Sequence, residues 1–119
     1  MLLQIEQKQF APGVTVIALA GKLMLGKESE QIEALVPALL EQGQRNIIFD
    51  IAGVSRIDST GIGRFIFSYN KILQAGGTMA ITGASSLLRE CFRATRLDSV
   101  FKLYEDVPGA VAALNATAR

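Results

Sequence analysis

Apolar and polar positions alternate at the start of the chain. Leu3 and Ile5 stand against Gln4 and Glu6, which predicts a half-buried first strand. Ala11-Pro12-Gly13 predicts a turn. Val14, Val16, Ile17 and Leu19 predict a second strand, ended by Gly21, and the two segments form a hairpin. Beyond it, Ile32, Leu35, Val36, Leu39 and Leu40 recur at the spacing of one helix face, with Glu30, Glu33 and Glu41 off that face and Gly43 as the stop. Pro37 falls inside this pattern. A proline there removes a backbone hydrogen bond at about 3 kcal/mol, so the helix is expected to be kinked, or broken near Ala34.

A denser apolar run follows. Ile47, Ile48, Phe49 and Ile51 are β-branched or aromatic with little alternation, as in a central strand covered on both faces. The run breaks at Ala52-Gly53, and a short connection carrying Val54, Arg56 and Ile57 leads to Asp58-Ser59-Thr60-Gly61. The next helix has Ile62, Phe65, Ile66, Tyr69, Ile72 and Leu73 on the face expected to meet the sheet. Arg64, Ser68, Lys71 and Gln74 take the other face, and Phe67 lies among them. Thr78 to Thr82 predicts a fourth strand ended by Gly83. Ser85 or Ser86 caps a third helix with Leu87, Leu88, Cys91 and Phe92 inward. Phe101, Leu103 and Tyr104 predict a last short strand. Pro108 suits the first turn of a closing helix with Val111 and Leu114 inward, and Asn115 to Arg119 are expected to fray.

The order β-β-α-β-α-β-α-β-α predicts an α/β fold, a mixed sheet of four or five strands covered by about four helices mainly on one face. At 119 residues the chain forms one domain, residues 1–119, and its 50% hydrophobic content suffices for a core. The net charge of +1 gives no basic excess for nucleic acid. No apolar run approaches the ~18 residues of a membrane helix. The start M-L-L-Q-I-E-Q-K-Q lacks the form of a signal peptide, and a cytoplasmic location is expected. The single cysteine, Cys91, sits on an apolar stripe and reads as a small core residue.

Candidate chemistry is sparse. There is no histidine, which removes His-based triads and most metal-site patterns, so no metal or cofactor is expected. Gly61-x-Gly63 lacks the third glycine of a dinucleotide fingerprint, and no phosphate-binding G-x-x-x-x-G-K-[ST] string occurs. Gly61 and Gly63 read as close-packing positions that also leave the Ser59 hydroxyl reachable. Asp58-Ser59-Thr60 stands just before a helix, where such residues ordinarily cap free N–H groups. The sharper alternative is a hydroxyl that receives a phosphoryl group, and local chemistry does not choose between Ser59 and Thr60.

The string I-I-F-D, a loop, D-S-T-G-I-G opening a helix, Gly76-Gly77 before the next strand, and F-R-A-T-R-L from Phe92 to Leu97 together resemble the STAS domain of bacterial anti-anti-sigma factors. The likeness spans nearly the whole chain. It implies a non-enzymatic protein with no catalytic residues. Unphosphorylated, such a protein binds an anti-sigma factor that is also a serine kinase and so frees a sigma factor. Phosphorylation of the serine ends the complex and a serine phosphatase reverses it. Carried onto this chain, Ser59 is the phosphoacceptor with Thr60 as rival, inside a motif of Asp58, Thr60, Gly61 and Gly63. Arg64, Phe67 and Lys71 flank Ser59 along the helix and are expected to meet the partner. The family usually has G-x-L-D after the second strand, but here Gly21-Lys22-Leu23 is followed by Met24, so neither the detailed partner contacts nor nucleotide binding is carried over. No direct nucleic-acid contact and no membrane insertion are expected, and the free chain is expected to be a monomer. The alternative function is a STAS-fold accessory subunit of a lipid-transport-type transporter or of a larger signalling assembly.

Overall fold

A computed structural model describes residues 3–117. Strand β1 (Leu3–Ala11) turns into β2 (Val14–Leu23), and helix α1 (Lys27–Glu41) follows. Next come β3 (Asn46–Ile57), α2 (Ser59–Gln74), β4 (Thr78–Thr82), α3 (Ser86–Ala94), a single 3-10 turn (Leu97–Ser99), β5 (Lys102–Tyr104) and α4 (Val107–Thr117). The expected element order is thus present. The sheet order is β1-β2-β3-β4-β5, with β1 antiparallel to β2 and every other pair parallel. The run Ile47 to Ile51 therefore lies in the central strand.

Alternation along the strands divides the core in two. On one face Ile17, Leu19, Ile47, Phe49, Ile51 and Ile81 meet α1, α2 and α3 through Ile32, Val36, Phe65, Ile72, Leu88 and Phe92. On the other, Val14, Val16, Ile48 and Ala80 meet only α4, through Ala110 and Leu114. The helices are mainly on one side because three of them cover the first face.

Several expectations are corrected. Gly21 does not end β2, nor does Ala52-Gly53 end β3. Both strands continue to Leu23 and Ile57, paired Ala20 to Gly53, Gly21 to Val54, Lys22 to Arg56 and Leu23 to Ile57. Between Ala18 and Ala20 the partner strand advances from Asp50 to Gly53, and a second shift follows Gly21. These are bulges that each add one residue to β3, and Gly21 takes up the distortion at φ 107°. The small residues that look like a break are what lets the paired strands bend.

Helix α1 is not broken near Ala34 and runs through Pro37. Ile32 and Val36 lie on one side of the proline and Leu39 on the other, all buried in the same core. Burying each such side chain is worth about 1.5–3 kcal/mol, which outweighs the ~3 kcal/mol cost of the proline. The helix stops at Gly43, φ +86°, where Gly43 N–H donates to the Leu40 carbonyl at 3.0 Å and Gln44 N–H to that of Leu39 at 3.0 Å.

On α2 the buried line is Gly61, Phe65, Ser68 and Ile72. Phe65 and Ile72 lie where expected, and Ile62 and Tyr69 are half-buried beside them. Ile66 and Leu73 instead face solvent, as does Leu87 on α3. Ser68, assigned to the polar face, is buried and satisfies its hydroxyl by donating to the Arg64 carbonyl at 2.8 Å. Cys91 is half-buried. Ser85 caps α3, its Oγ accepting from Leu88 N–H at 3.2 Å. The expected fraying of residues 115–119 falls partly outside the described residues, and α4 is helical through Thr117.

Phe65 is the hub of the larger core. Its ring lies 5.2 Å from Phe49, 6.1 Å from Phe92 and 6.2 Å from Phe101, centroid to centroid. Replacing Phe65 by Ala is expected to cost about 3–5 kcal/mol in chemical denaturation. Ile66→Ala, one position along on the open face, should cost under ~1 kcal/mol. Equal losses at the two positions would mean that the helix is turned otherwise.

Candidate functional site

The motif stands where β2 and β3 finish side by side. Leu23, the last residue of β2, offers its carbonyl to Asp58 N–H at 3.3 Å, which brings the start of α2 against the end of that strand. The fit is tight at Gly61. A Cβ built there would stand 2.2 Å from the Leu23 carbonyl oxygen and 2.8 Å from the Ile57 side chain. Only glycine allows this approach, so the close-packing role expected of Gly61 holds. It does not hold for Gly63, where an added Cβ meets nothing within 4 Å. Gly63 lies open on the outer surface of α2, one turn beyond Ser59.

Asp58 is the N-cap of α2. Its Oδ1 accepts from Gly61 N–H at 2.9 Å and its Oδ2 from Leu25 N–H at 3.1 Å. One carboxylate thus ties the β2–α1 loop to the start of α2. The Gly61 N–H bond does most to hold the Asp58 carboxyl below the usual carboxylate range. Partial burial opposes it, and the Leu25 N–H bond adds to the lowering. The cap is what the sequence predicts for the Asp58-Ser59-Thr60 string; the hold on Leu25, thirty-three residues away in the chain, is not legible in it. Leu25 is 74% exposed, and with Met24 it places apolar surface beside the motif. The signal in the sequence was an apolar pair immediately before a glycine, in a segment too short to bury it.

Ser59 is the first residue of the sixteen-residue α2 and is exposed, while Thr60 is half-buried. Ser59 therefore stands at the positive end of the helix, beside the Asp58 cap. Ser59, Gly63, Ile66, Asn70 and Leu73 follow one another at helical spacing and are all exposed, so they form one outward stripe.

The three residues expected to flank Ser59 toward a partner part company. Arg64 turns to α1, where its Nη1 donates to Glu33 Oε2 at 2.6 Å and its Nε to Ser29 Oγ at 3.4 Å. Its side chain is only 12% exposed, so it acts as a strut between helices. Phe67 is half-buried, and the Lys71 ammonium lies over its ring at 5.7 Å from the centroid. These two sit beside the outward stripe. No group of three or more His, Cys, Asp or Glu side chains suited to a metal occurs among the described residues. No described helix is long and apolar enough to cross a membrane.

The Asp58 cap has a pH signature. Because folding lowers its pKa, the stability that it contributes is present above the ordinary Asp value and is lost as pH falls through the lower folded value. Asp58→Ala should cost about 0.5–2 kcal/mol near neutrality. In denaturation curves taken at decreasing pH, that difference should shrink in strongly acid solution. A difference that stays constant would mean that the carboxylate charge contributes nothing.

Comparison with known proteins now places the fold. An anti-sigma factor antagonist from Mycobacterium paratuberculosis superposes with a TM-score of 0.80 at 19% identity, covering 95% of this chain and 94% of the other. The Bacillus cell fate determinant SpoIIAA in its phosphorylated form gives 0.76 at 21% identity, with 93% and 99% covered. A sulfate transporter family protein from Wolinella succinogenes gives 0.81 at 16% identity, with 92% and 90% covered. At these identities the likeness is one of fold. The family profile for the STAS domain matches residues 7–110, from the middle of β1 into α4 and across the whole motif, and the chain therefore belongs to the STAS domain family.

Proposed function

We propose that this chain is an anti-anti-sigma factor: a non-enzymatic binding protein that, with Ser59 bare, engages an anti-sigma factor serine kinase and releases it on phosphorylation. The observation that carries the proposal is the exposure of Ser59 at the first position of α2, within D-S-T-G-I-G and beside a half-buried Thr60. The fold shared with SpoIIAA, a protein known in a phosphorylated form, supports it. In the transfer, the Ser59 oxygen takes the γ-phosphoryl group of ATP, its proton is released, and ADP leaves. A serine phosphatase returns the hydroxyl by hydrolysis, in which water takes up the phosphoryl group and inorganic phosphate leaves.

The proposed partner surface is the outward stripe of α2, Ser59, Gly63 and Ile66, with Leu25 from the loop that Asp58 holds and with Phe67 and Lys71 at its border. Ile66 is 40% exposed and Leu25 more so, which gives a partner apolar contacts around the hydroxyl. A phosphoryl group adds about −1.5 to −2 charges at pH 7. The N-terminus of α2 tolerates that charge, so the domain keeps its fold. The complex does not, because a hydrated dianion would have to enter a contact shaped for a hydroxyl. A loss of this kind is worth roughly 2–5 kcal/mol, so affinity falls about thirtyfold or more.

A second reading, an accessory subunit of a transporter or of a larger signalling assembly, draws on the likeness to the sulfate transporter family protein. The two readings separate on what Ser59→Ala captures from the native host: a serine kinase under the first, a membrane transporter or signalling complex under the second.

Two outcomes are expected. With the captured kinase and ATP, the wild-type chain should gain the mass of one phosphoryl group, and Ser59→Ala should gain none while holding the kinase permanently. A gain that persists in Ser59→Ala moves the site, first of all to Thr60. In titration calorimetry against the same kinase, Ile66→Ala and Phe67→Ala should each weaken binding by about tenfold while shifting the melting temperature little. If Phe67→Ala instead unfolds the domain, Phe67 serves the core and leaves the proposed surface.

A further inference from the structure

The face of the sheet opposite α2 is only partly covered. Helix α4 packs over Val14, Val16, Ile48 and Ala80, and beside its first turn a trough of about 730 Å³ stays open. Glu6, Lys8 and Phe10 of β1 line one side, and Val16 and Ala18 of β2 lie in the middle. Asp50 of β3 and Val107 of α4 line the other side. That size suits a small organic molecule.

The charges in the trough are ordered. Register sets Glu6 beside Ala18 and Ala18 beside Asp50, so two carboxylates flank a single methyl side chain. Their backbones are two strand spacings apart, roughly 10 Å, which leaves room for an ammonium group between them. Lys8 follows Glu6 by two positions, about 7 Å along β1, and stands beside Val16. Phe10 comes two positions further and is 43% exposed. None of the three charged groups has an ion-pair partner among the described residues. Asp50 Oδ1 accepts from Ala52 N–H at 3.2 Å, and its other oxygen is left for a donor. Thr82, the register partner of Asp50 on β4, is fully buried, and its hydroxyl has no hydrogen-bond partner among the described residues. Native domains rarely leave a buried hydroxyl unpaired. The row of Glu6, Ala18, Asp50 and Thr82 therefore holds polar capacity that folding does not use.

We infer that this trough binds a free α-amino acid with a large apolar side chain. The ammonium group sits between Glu6 and Asp50, the carboxylate meets Lys8, and the side chain lies over Val16 and Val107 toward Phe10. A simple cation would leave Lys8 unpaired, and a simple anion would face two carboxylates. A zwitterion whose charges are one carbon apart answers both signs within the spacing of Glu6 and Lys8. The trough opens on the face of the sheet that α2 does not cover, so the inference stands apart from the proposed phosphorylation of Ser59.

The test is titration of the full chain with L-phenylalanine, followed by amide shifts in nitrogen–proton NMR spectra. Saturable shifts are expected at Glu6, Lys8, Ala18, Asp50 and Val107, with a Kd of about 1 mM or tighter. Phenylethylamine, which lacks the carboxylate, and 3-phenylpropionate, which lacks the ammonium, should each bind about tenfold more weakly or worse. Glu6→Gln and Lys8→Met, both at exposed positions, should each weaken phenylalanine binding about tenfold. Lys8→Met should leave phenylethylamine binding no weaker than in the wild type, a result that damage to the fold would not give. Absence of saturable shifts up to about 10 mM phenylalanine overturns the inference. So does phenylethylamine binding as tightly as phenylalanine, which would make the trough a site for cations alone. Tighter binding of phenylalaninamide also overturns it, in favour of the amino terminus of a peptide.

Discussion

The insertion of Phe65 among Phe49, Phe92 and Phe101 holds the rest of the structure in place. The ring belongs to α2, Phe49 to the central strand, Phe92 to α3, and Phe101 to the approach to β5, and all four are buried. Phe92 and Phe101 themselves meet edge to face at 6.0 Å, and Tyr69 adds a further ring against Phe101. Edge-to-face pairs contribute about 0.5–1.5 kcal/mol beyond their burial. Four elements are thus fixed relative to one another by a single cluster. The start of α2 carries Ser59, so the same cluster decides where that hydroxyl stands.

Fixing α2 laterally does not set how close its first turn comes to the sheet. That is left to Gly61 and Asp58. The absence of a Cβ at Gly61 lets the turn approach the Leu23 carbonyl, and the two oxygens of Asp58 then take one N–H from the helix and one from the β2–α1 loop. Arg64 completes the frame by joining α2 to Glu33 and Ser29 of α1. Each contact turns a polar group inward, toward a neighbouring element. What remains outward is the hydroxyl of Ser59 and the small or apolar surface of Gly63, Ile66 and Leu25. A switch of charge at Ser59 would act on that surface without touching the frame beneath it.

The sheet is asymmetric for a related reason. Three helices cover one face, while α4 alone covers part of the other, over Val14, Val16, Ile48 and Ala80. The side chains of β1 on that second face, Gln4, Glu6, Lys8 and Phe10, are left in solvent. The domain therefore exposes two surfaces, the outward stripe of α2 and the polar face of β1.

The sequence by itself determined the element order, the central strand, the hairpin, a serine cap on α3 at Ser85 or Ser86, the glycine stop of α1 and the location of the motif. Each depends on near neighbours: alternation within a strand, helical spacing, a hydroxyl before a first turn, a positive φ at a helix end. Tertiary structure decided what lies between elements. Six apolar residues of α2 share one half of the helix, yet the sheet has room to bury Phe65 and Ile72 and leaves Ile66 and Leu73 outside. Periodicity gives the direction of an apolar stripe but not the width of the groove that receives it. Ala52-Gly53 and Gly21 have the composition of strand ends, but pairing between β2 and β3 carries both strands past them, because ladder hydrogen bonds from a neighbouring strand outweigh weak local propensity. Pro37 stays inside α1 for the same reason, since core contacts on both sides of it exceed its local cost. Arg64 looked free on its own helix and found its partners on another, thirty-one and thirty-five residues away in the chain, where no local pattern can point.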